Sequence, residues 1–156
     1  MSLGGGGGQL QQLAEEIQAL EQEVETLESE IDGLQNEKRE IDEAIEAINV
    51  LDTGETVQVP LGGDAYVRAE VQDIDEIIVS LGGGYAAERE QDNAIDTLEN
   101  KQDTLDDRIE DLRAEISEIE SESEQLEQQA QQMQQQQMQQ QMAQMQQQQQ
   151  GEDDDE

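Results

Sequence analysis

Two short stretches near the middle of the chain decide how the rest is read: Thr56-Val57-Gln58-Val59-Pro60-Leu61-Gly62-Gly63-Asp64-Ala65-Tyr66-Val67-Arg68-Ala69-Glu70-Val71 and Ile77-Ile78-Val79-Ser80-Leu81-Gly82-Gly83-Gly84-Tyr85-Ala86-Ala87-Glu88. In the first, Thr56–Val59 reads as a strand that ends at Pro60 and the turn Gly62-Gly63-Asp64. Ala65, Val67, Ala69 and Val71 then alternate on one face, so a hairpin is expected. Gln72–Glu76 is a polar connection. In the second, Ile77–Leu81 predicts a third strand, Gly82-Gly83-Gly84 a turn, and Tyr85–Glu88 a short fourth strand or the start of a helix. Hairpins this small are marginal alone, and their open edges call for partner strands. Residues 54–90 are therefore expected to be an assembly segment. Its candidate contact residues are Val57, Val59, Pro60, Tyr66, Val67, Ile77, Val79, Leu81, Gly82, Gly84 and Tyr85.

The flanks carry a different rhythm. Leu10, Leu13, Ile17, Leu20, Val24, Leu27, Ile31, Leu34, Lys38, Ile41, Ile45 and Ile48 alternate steps of three and four. That is a heptad a/d seam, interrupted only by Lys38, and it predicts a helix over 9–50, roughly 60 Å long. After the hairpins the same rhythm returns in Ile95, Leu98, Gln102, Leu105, Ile109, Leu112, Ile116, Ile119, Ser123, Leu126, Ala130 and Met133. It predicts a second helix over 92–130, with Asp92 as N-cap. The seams match in length, so an antiparallel two-helix coiled coil follows. Ile48 is expected near Ile95, and Leu10 near Ala130 and Met133. The polar seam residues Lys38, Gln102 and Ser123 read first as devices that fix register.

The ends are compositionally simple. Gly4–Gly8 makes residues 1–8 a flexible Gly-rich start. Residues 131–156, mostly Gln with Met133, Met138, Met142, Ala143 and Met145 before an acidic end, read as a frayed helix or disordered tail. The fold class is thus α+β: a long antiparallel coiled coil with two β-hairpins between its helices.

The charge is extreme. Among 156 residues there are 41 Asp plus Glu against 7 Lys plus Arg, for a net charge of −34. Such a surface repels nucleic-acid phosphates and anionic lipid, so neither is an expected partner. Acid spread from Glu15 to Glu127 and again at the end of the chain, with Lys38 and Lys101 the only lysines, fits a salt-rich cytosol such as that of halophilic archaea. There is no His and no Cys. This removes the commonest general base, thiol chemistry, a disulfide framework and a Cys-based zinc site. The apolar runs are far too short to span a bilayer, and the start of the chain has no signal-peptide pattern. A cytoplasmic protein is expected.

Chemistry-bearing motifs are weak. Gly82–Ala87 fits a relaxed G-x-G-x-x-A dinucleotide fingerprint, but no βαβ unit surrounds it and Glu88 and Glu90 would repel phosphate, so a hairpin turn is the better reading. Asp73-Ile74-Asp75-Glu76 and Glu152–Glu156 are carboxylate clusters without the spacing of a calcium loop, and read as solvated acid. No nucleophile stands beside a base. No enzyme, metal or cofactor is expected. Met138, Met142 and Met145 read either as a solubilising tail or as a loose surface for apolar segments.

This layout resembles the prefoldin alpha subunit over roughly residues 9–130. Val59–Ala69 looks like that family's first hairpin and Ile77–Glu88 like its second, and two hairpins rather than one indicate the alpha class. The resemblance implies an ATP-independent holdase of two alpha and four beta subunits. A β-barrel body carries six coiled coils whose tips hold unfolded proteins for a group II chaperonin. The tip residues would be Leu10, Leu13, Ile17, Leu126, Ala130, Met133, Met138, Met142 and Met145. The competing expectation is a tethering coiled coil whose β segment only organises an oligomer.

Overall fold

The computed structural model describes residues 5–153, with side chains described for 7–151. The order is α1 (Gly5–Val50), β1 (Thr56–Gly62), β2 (Ala65–Glu70), β3 (Ile77–Gly82), β4 (Tyr85–Arg89) and α2 (Gln91–Asp153). Two antiparallel two-stranded sheets, β1–β2 and β3–β4, lie between the helices in sequence. The chain divides into two compact units: Ile31–Glu110, and Met1–Glu30 with Asp111–Glu156.

In the first unit the seam positions Ile31, Leu34, Lys38, Ile41, Ile45 and Ile48 are buried or half-buried, as are Ala94, Leu98, Gln102, Leu105 and Ile109. Lys38 and Gln102 meet across the pair. The Gln102 amide donates to the Lys38 carbonyl (3.2 Å) and to the Asp42 carboxylate, and the Lys38 ammonium pairs with Asp106. At the end of α1, Gln91 Nε2 donates to the Ile48 carbonyl at 2.6 Å, satisfying an orphan acceptor of the last turn. Residues 38 and 48 thus face 102–106 and 91, so the helices run antiparallel. Polar side chains that bond across the seam penalise a shifted pairing, because a slip would leave them unpartnered.

Beside the seam, the inner face of the second hairpin packs on the helices. Ile41, Val79, Ala94 and Leu98 form one core, flanked by Ala44, Ile45, Ile48, Ile77 and Leu105. Ala94 is fully buried; a larger side chain there would hold the strand away. Lys101 Nζ donates to the Ser80 carbonyl at 2.9 Å and ties β3 to α2.

Both hairpins turn by the same device. Gly62 pairs with Ala65 and Gly82 with Tyr85, each after a register shift that leaves Leu61 and Leu81 as extra residues. The enclosed pairs Gly63-Asp64 and Gly83-Gly84 all have positive φ (60°, 62°, 61° and 82°). This is the requirement of a type I′ turn, which matches the twist of the strands it joins. Asp at position 64 is among the few side chains that tolerate such backbone. The bulge glycines Gly62 and Gly82 sit at φ 99° and 93° with open space where a Cβ would stand. The requirement there is conformational, not steric. Gly82→Val is expected to destabilise the second hairpin by about 1–3 kcal/mol. The check is faster amide exchange across β3 and β4 than in the parent; unchanged protection would refute the argument.

Three expectations are corrected. The α2 helix opens at Gln91, so Asp92 lies inside its first turn instead of capping it. The cap comes from far upstream: the Asp75 carboxylate accepts the Gln91 N–H at 3.4 Å. The Gln/Met tract, expected from residue 131 as a frayed helix or a disordered tail, continues the second helix without a break to Asp153. Gln, Met and Ala are good helix formers, and no Pro or Gly interrupts them before Gly151. Likewise, α1 already includes Gly5–Gly8. Residues 1–4 and 154–156, part of the expected flexible start and acidic end, lie outside the described residues.

Candidate functional site

In the unit that holds the chain ends, Leu10, Leu13, Ile17, Leu20, Val24 and Leu27 are half-buried, as are Ile116, Ser123, Leu126, Ala130 and Met133, while Leu112 and Ile119 are buried. Leu112 is fully buried, whereas every seam residue from Ser123 onward is only half-buried. Two open grooves interrupt this part of the seam. One, of about 350 Å³, has Leu20, Val24 and Ser123 in its floor and Glu21, Glu120, Glu124 and Glu127 around it. Ser123 is too short to fill a position that leucine or isoleucine fills elsewhere, so the gap follows from the sequence. The other, of about 200 Å³, is lined by Leu13 and Met133 with Gln9, Gln12, Glu16 and Gln129. Leu13 and Met133 therefore share one opening at this end of the coil. Such an arrangement offers apolar surface that is partly exposed at rest and grows when the helix ends fray.

Met138, Met142 and Met145 stand apart from these residues. Gln137 is half-buried and occupies the next seam position, while Met138, Met142 and Met145 are 65–70% exposed. They do not prolong the seam. Heptad counting through Met133 to Gln137 would have separated the two sets of methionines.

The hairpin candidates divide by face. Val79 is buried and Ile77 half-buried in the chain's own core, so these two pack inward and are not free for a partner. Val57 is half-buried opposite Ala69. Val59, Pro60, Tyr66, Val67, Leu81, Gly82, Gly84 and Tyr85 are exposed, as are Leu61 and Ile78. Ile78 and Tyr85, at 73% and 76%, are the most exposed large apolar side chains of the described hairpins. The outer strand edges and these side chains form an uncovered apolar surface of the kind that partner chains cover.

The weaker motifs find local explanations. Gly82–Ala87 is the turn and start of β4, with a strand rather than a helix after it. Asp73 accepts the Asp75 N–H at 3.0 Å, and Asp75 caps α2. These carboxylates shape a turn and a helix start. Among the described residues, no three His, Cys, Asp or Glu side chains are grouped to hold a metal ion. No helix of the described residues is long and apolar enough to cross a membrane.

Two hairpins joined to an antiparallel helix pair define a coiled-coil assembly subunit. A family model described as Prefoldin subunit matches residues 20–136, and the chain belongs to the prefoldin family. It is 72% identical over 103 residues to the prefoldin subunit alpha of Halobacterium salinarum, covering 65% of this chain and 67% of that one. To the prefoldin subunit alpha of Haloarcula marismortui it is 69% identical over 94 residues, covering 60% of this chain and 61% of the relative. To that of Halorubrum lacusprofundi it is 68% identical over 100 residues, covering 64% and 66%. The matches thus span about two thirds of these relatives' lengths or somewhat less. Among solved structures, a cryo-EM structure of filamentous PFD from Methanocaldococcus jannaschii superposes with a TM-score of 0.64. It is 28% identical and covers 72% of this chain and 96% of that one. The likeness to alpha-type subunits of halophilic archaea accords with the charge of −34.

Proposed function

We propose that this chain is the alpha-type subunit of an ATP-independent holdase. Two copies assemble with four beta-type prefoldin subunits, their β segments forming a barrel body. The coils hold unfolded proteins at their free ends and pass them to a group II chaperonin in a salt-rich cytoplasm. No catalysis, cofactor, nucleic acid or membrane enters this reading. The observation that carries it is the groove shared by Leu13 and Met133, where two apolar side chains lie partly open among Gln9, Gln12, Glu16 and Gln129. Leu10, Ile17, Leu126 and Ala130 supply neighbouring half-buried surface. Weak contacts at several such ends act together on one client, because the first contact raises the effective concentration of the rest. The uncovered hairpin surface, with Val59, Tyr66, Val67, Ile78 and Tyr85, supports assembly through the β segment.

The test is light scattering from an aggregating client in molar salt, with and without ATP. The parent assembly is expected to suppress scattering equally in both conditions. Changing Leu10, Leu13, Leu126 and Met133 to serine should lower protection at unchanged assembly mass. Ile31→Ser or Ile109→Ser should instead weaken the coil itself, since both residues are buried. Undiminished protection by the four-site variant at equal mass would favour a tethering coil whose end seam is packing alone.

A further inference from the structure

The chain carries 41 acidic residues, yet none stands between Glu127 and Glu152; Gln128–Gln150 has no charge of either sign. This uncharged tract is helical. It also outruns its partner helix: α1 begins eight residues before Leu13, whereas α2 continues twenty residues beyond Met133, the residue that shares Leu13's groove. At about 100° per residue, Met138, Met142 and Met145 fall within an arc of roughly 60°, turned by roughly 120° from the line of Ala130, Met133 and Gln137. The exposures agree, because Gln137 is half-buried and the three methionines are open. The family match ends at residue 136, before the first of them.

We propose that Met138, Met142 and Met145 form a second holding surface, distinct from the seam end, and that its occupant is an acidic apolar segment of an unfolded protein. The proposal rests on the holdase reading. Charge decides the occupant. The grooves of the seam are bordered by Glu16, Glu21, Glu120, Glu124 and Glu127. An acidic segment laid there brings carboxylates within a few ångströms of carboxylates and strips water from both, a cost that molar salt reduces only beyond ~3 Å. Along the methionine stripe there is no like charge to meet. Flexible thioethers conform to varied apolar side chains, and glutamine amides donate to carboxylates or accept from backbone N–H.

The test uses the full chain assembled with a beta-type prefoldin subunit in molar KCl. The probes are two fluorescein-labelled peptides of identical leucine pattern, one with Glu and one with Lys at every polar position. Binding is read by anisotropy. In the variant with Met138, Met142 and Met145 all changed to Gln, the dissociation constant for the Glu peptide is expected to rise about tenfold and that for the Lys peptide by less than about twofold. Glutamine and methionine have similar helix propensity, so circular dichroism should not change. A second variant, Gln135→Glu with Gln149→Glu, leaves the methionines in place and should also weaken the Glu peptide selectively. Unchanged or equal losses for both peptides in the first variant would overturn the charge-selective surface while leaving the holdase reading intact. A change in sedimentation of that variant without peptide selectivity would assign the stripe to contact between copies. A parent assembly that bound neither peptide would overturn the holdase reading and this inference with it.

Discussion

Transfer from molar KCl to about 0.1 M salt is expected to remove about half or more of the helical circular-dichroism signal, because the screening length grows from ~3 Å to ~10 Å. The cause is the imbalance of 41 acidic against 7 basic residues, much of it on two paired helices. At the shorter length neighbouring carboxylates are nearly independent. At the longer one each feels several others, as Glu120, Glu124 and Glu127 around a single groove illustrate. Repulsion of this kind opposes compact structure. Potassium and sodium chloride at equal ionic strength should restore the signal alike. A spectrum unchanged by dilution would remove the argument, and restoration by only one of the two salts would point to ion-specific binding in place of screening.

Leu112→Ala is expected to cost about 2–5 kcal/mol, the range for deleting a large aliphatic group from a packed interior. Leu112 is the largest fully buried side chain of the described residues. In a seam one side chain wide, no second layer can collapse into the vacated space. Leu10→Ala, at a half-buried position near the start of α1, is expected to cost under about 1 kcal/mol by comparison. Urea titrations at fixed molar KCl and fixed protein concentration measure both, since assembly makes stability depend on concentration. Equal midpoints for the two variants would mean that the coil is not most tightly packed where its burial is deepest.

The seam and the hairpin turns were readable because each is encoded locally. The three-four spacing from Leu10 to Ile48 and from Ile95 to Met133 names the residues that are buried or half-buried, including the polar positions 38, 102 and 123. The glycines at 62, 63, 82, 83 and 84 mark the positive-φ positions. What was not readable depends on partners distant in sequence. Ala44 and Ala94 are one position away from seam residues and gain their burial from β3, whose approach no heptad count reveals. The Asp75 cap acts across sixteen residues and the Gln91 bond to Ile48 across forty-three. Small alanines beside a seam were the available signal for a strand packed on the pair. Whether Met138 lies on the seam is also readable locally, since the next three-four step from Met133 falls on Gln137, which is half-buried while Met138 is exposed.

The base of the first hairpin is closed. The Gly54 N–H donates to the Val71 carbonyl at 2.7 Å and the Val71 N–H to the Glu55 carbonyl at 2.8 Å. Thr53 Oγ1, just before, accepts the Ile74 N–H at 3.0 Å. The chain thus leaves and returns to one place, and the turn at the far end carries its own conformational instructions. Genetically, such a segment is a cassette. Residues 55–70 can be lost or gained in one event without re-routing the polypeptide, since the flanking backbone already meets. The second hairpin has no such freedom, because Val79 is part of the helix-bound core. A one-hairpin subunit descended from a chain like this one would therefore keep the hairpin that grips the helices and shed the one that closes on itself.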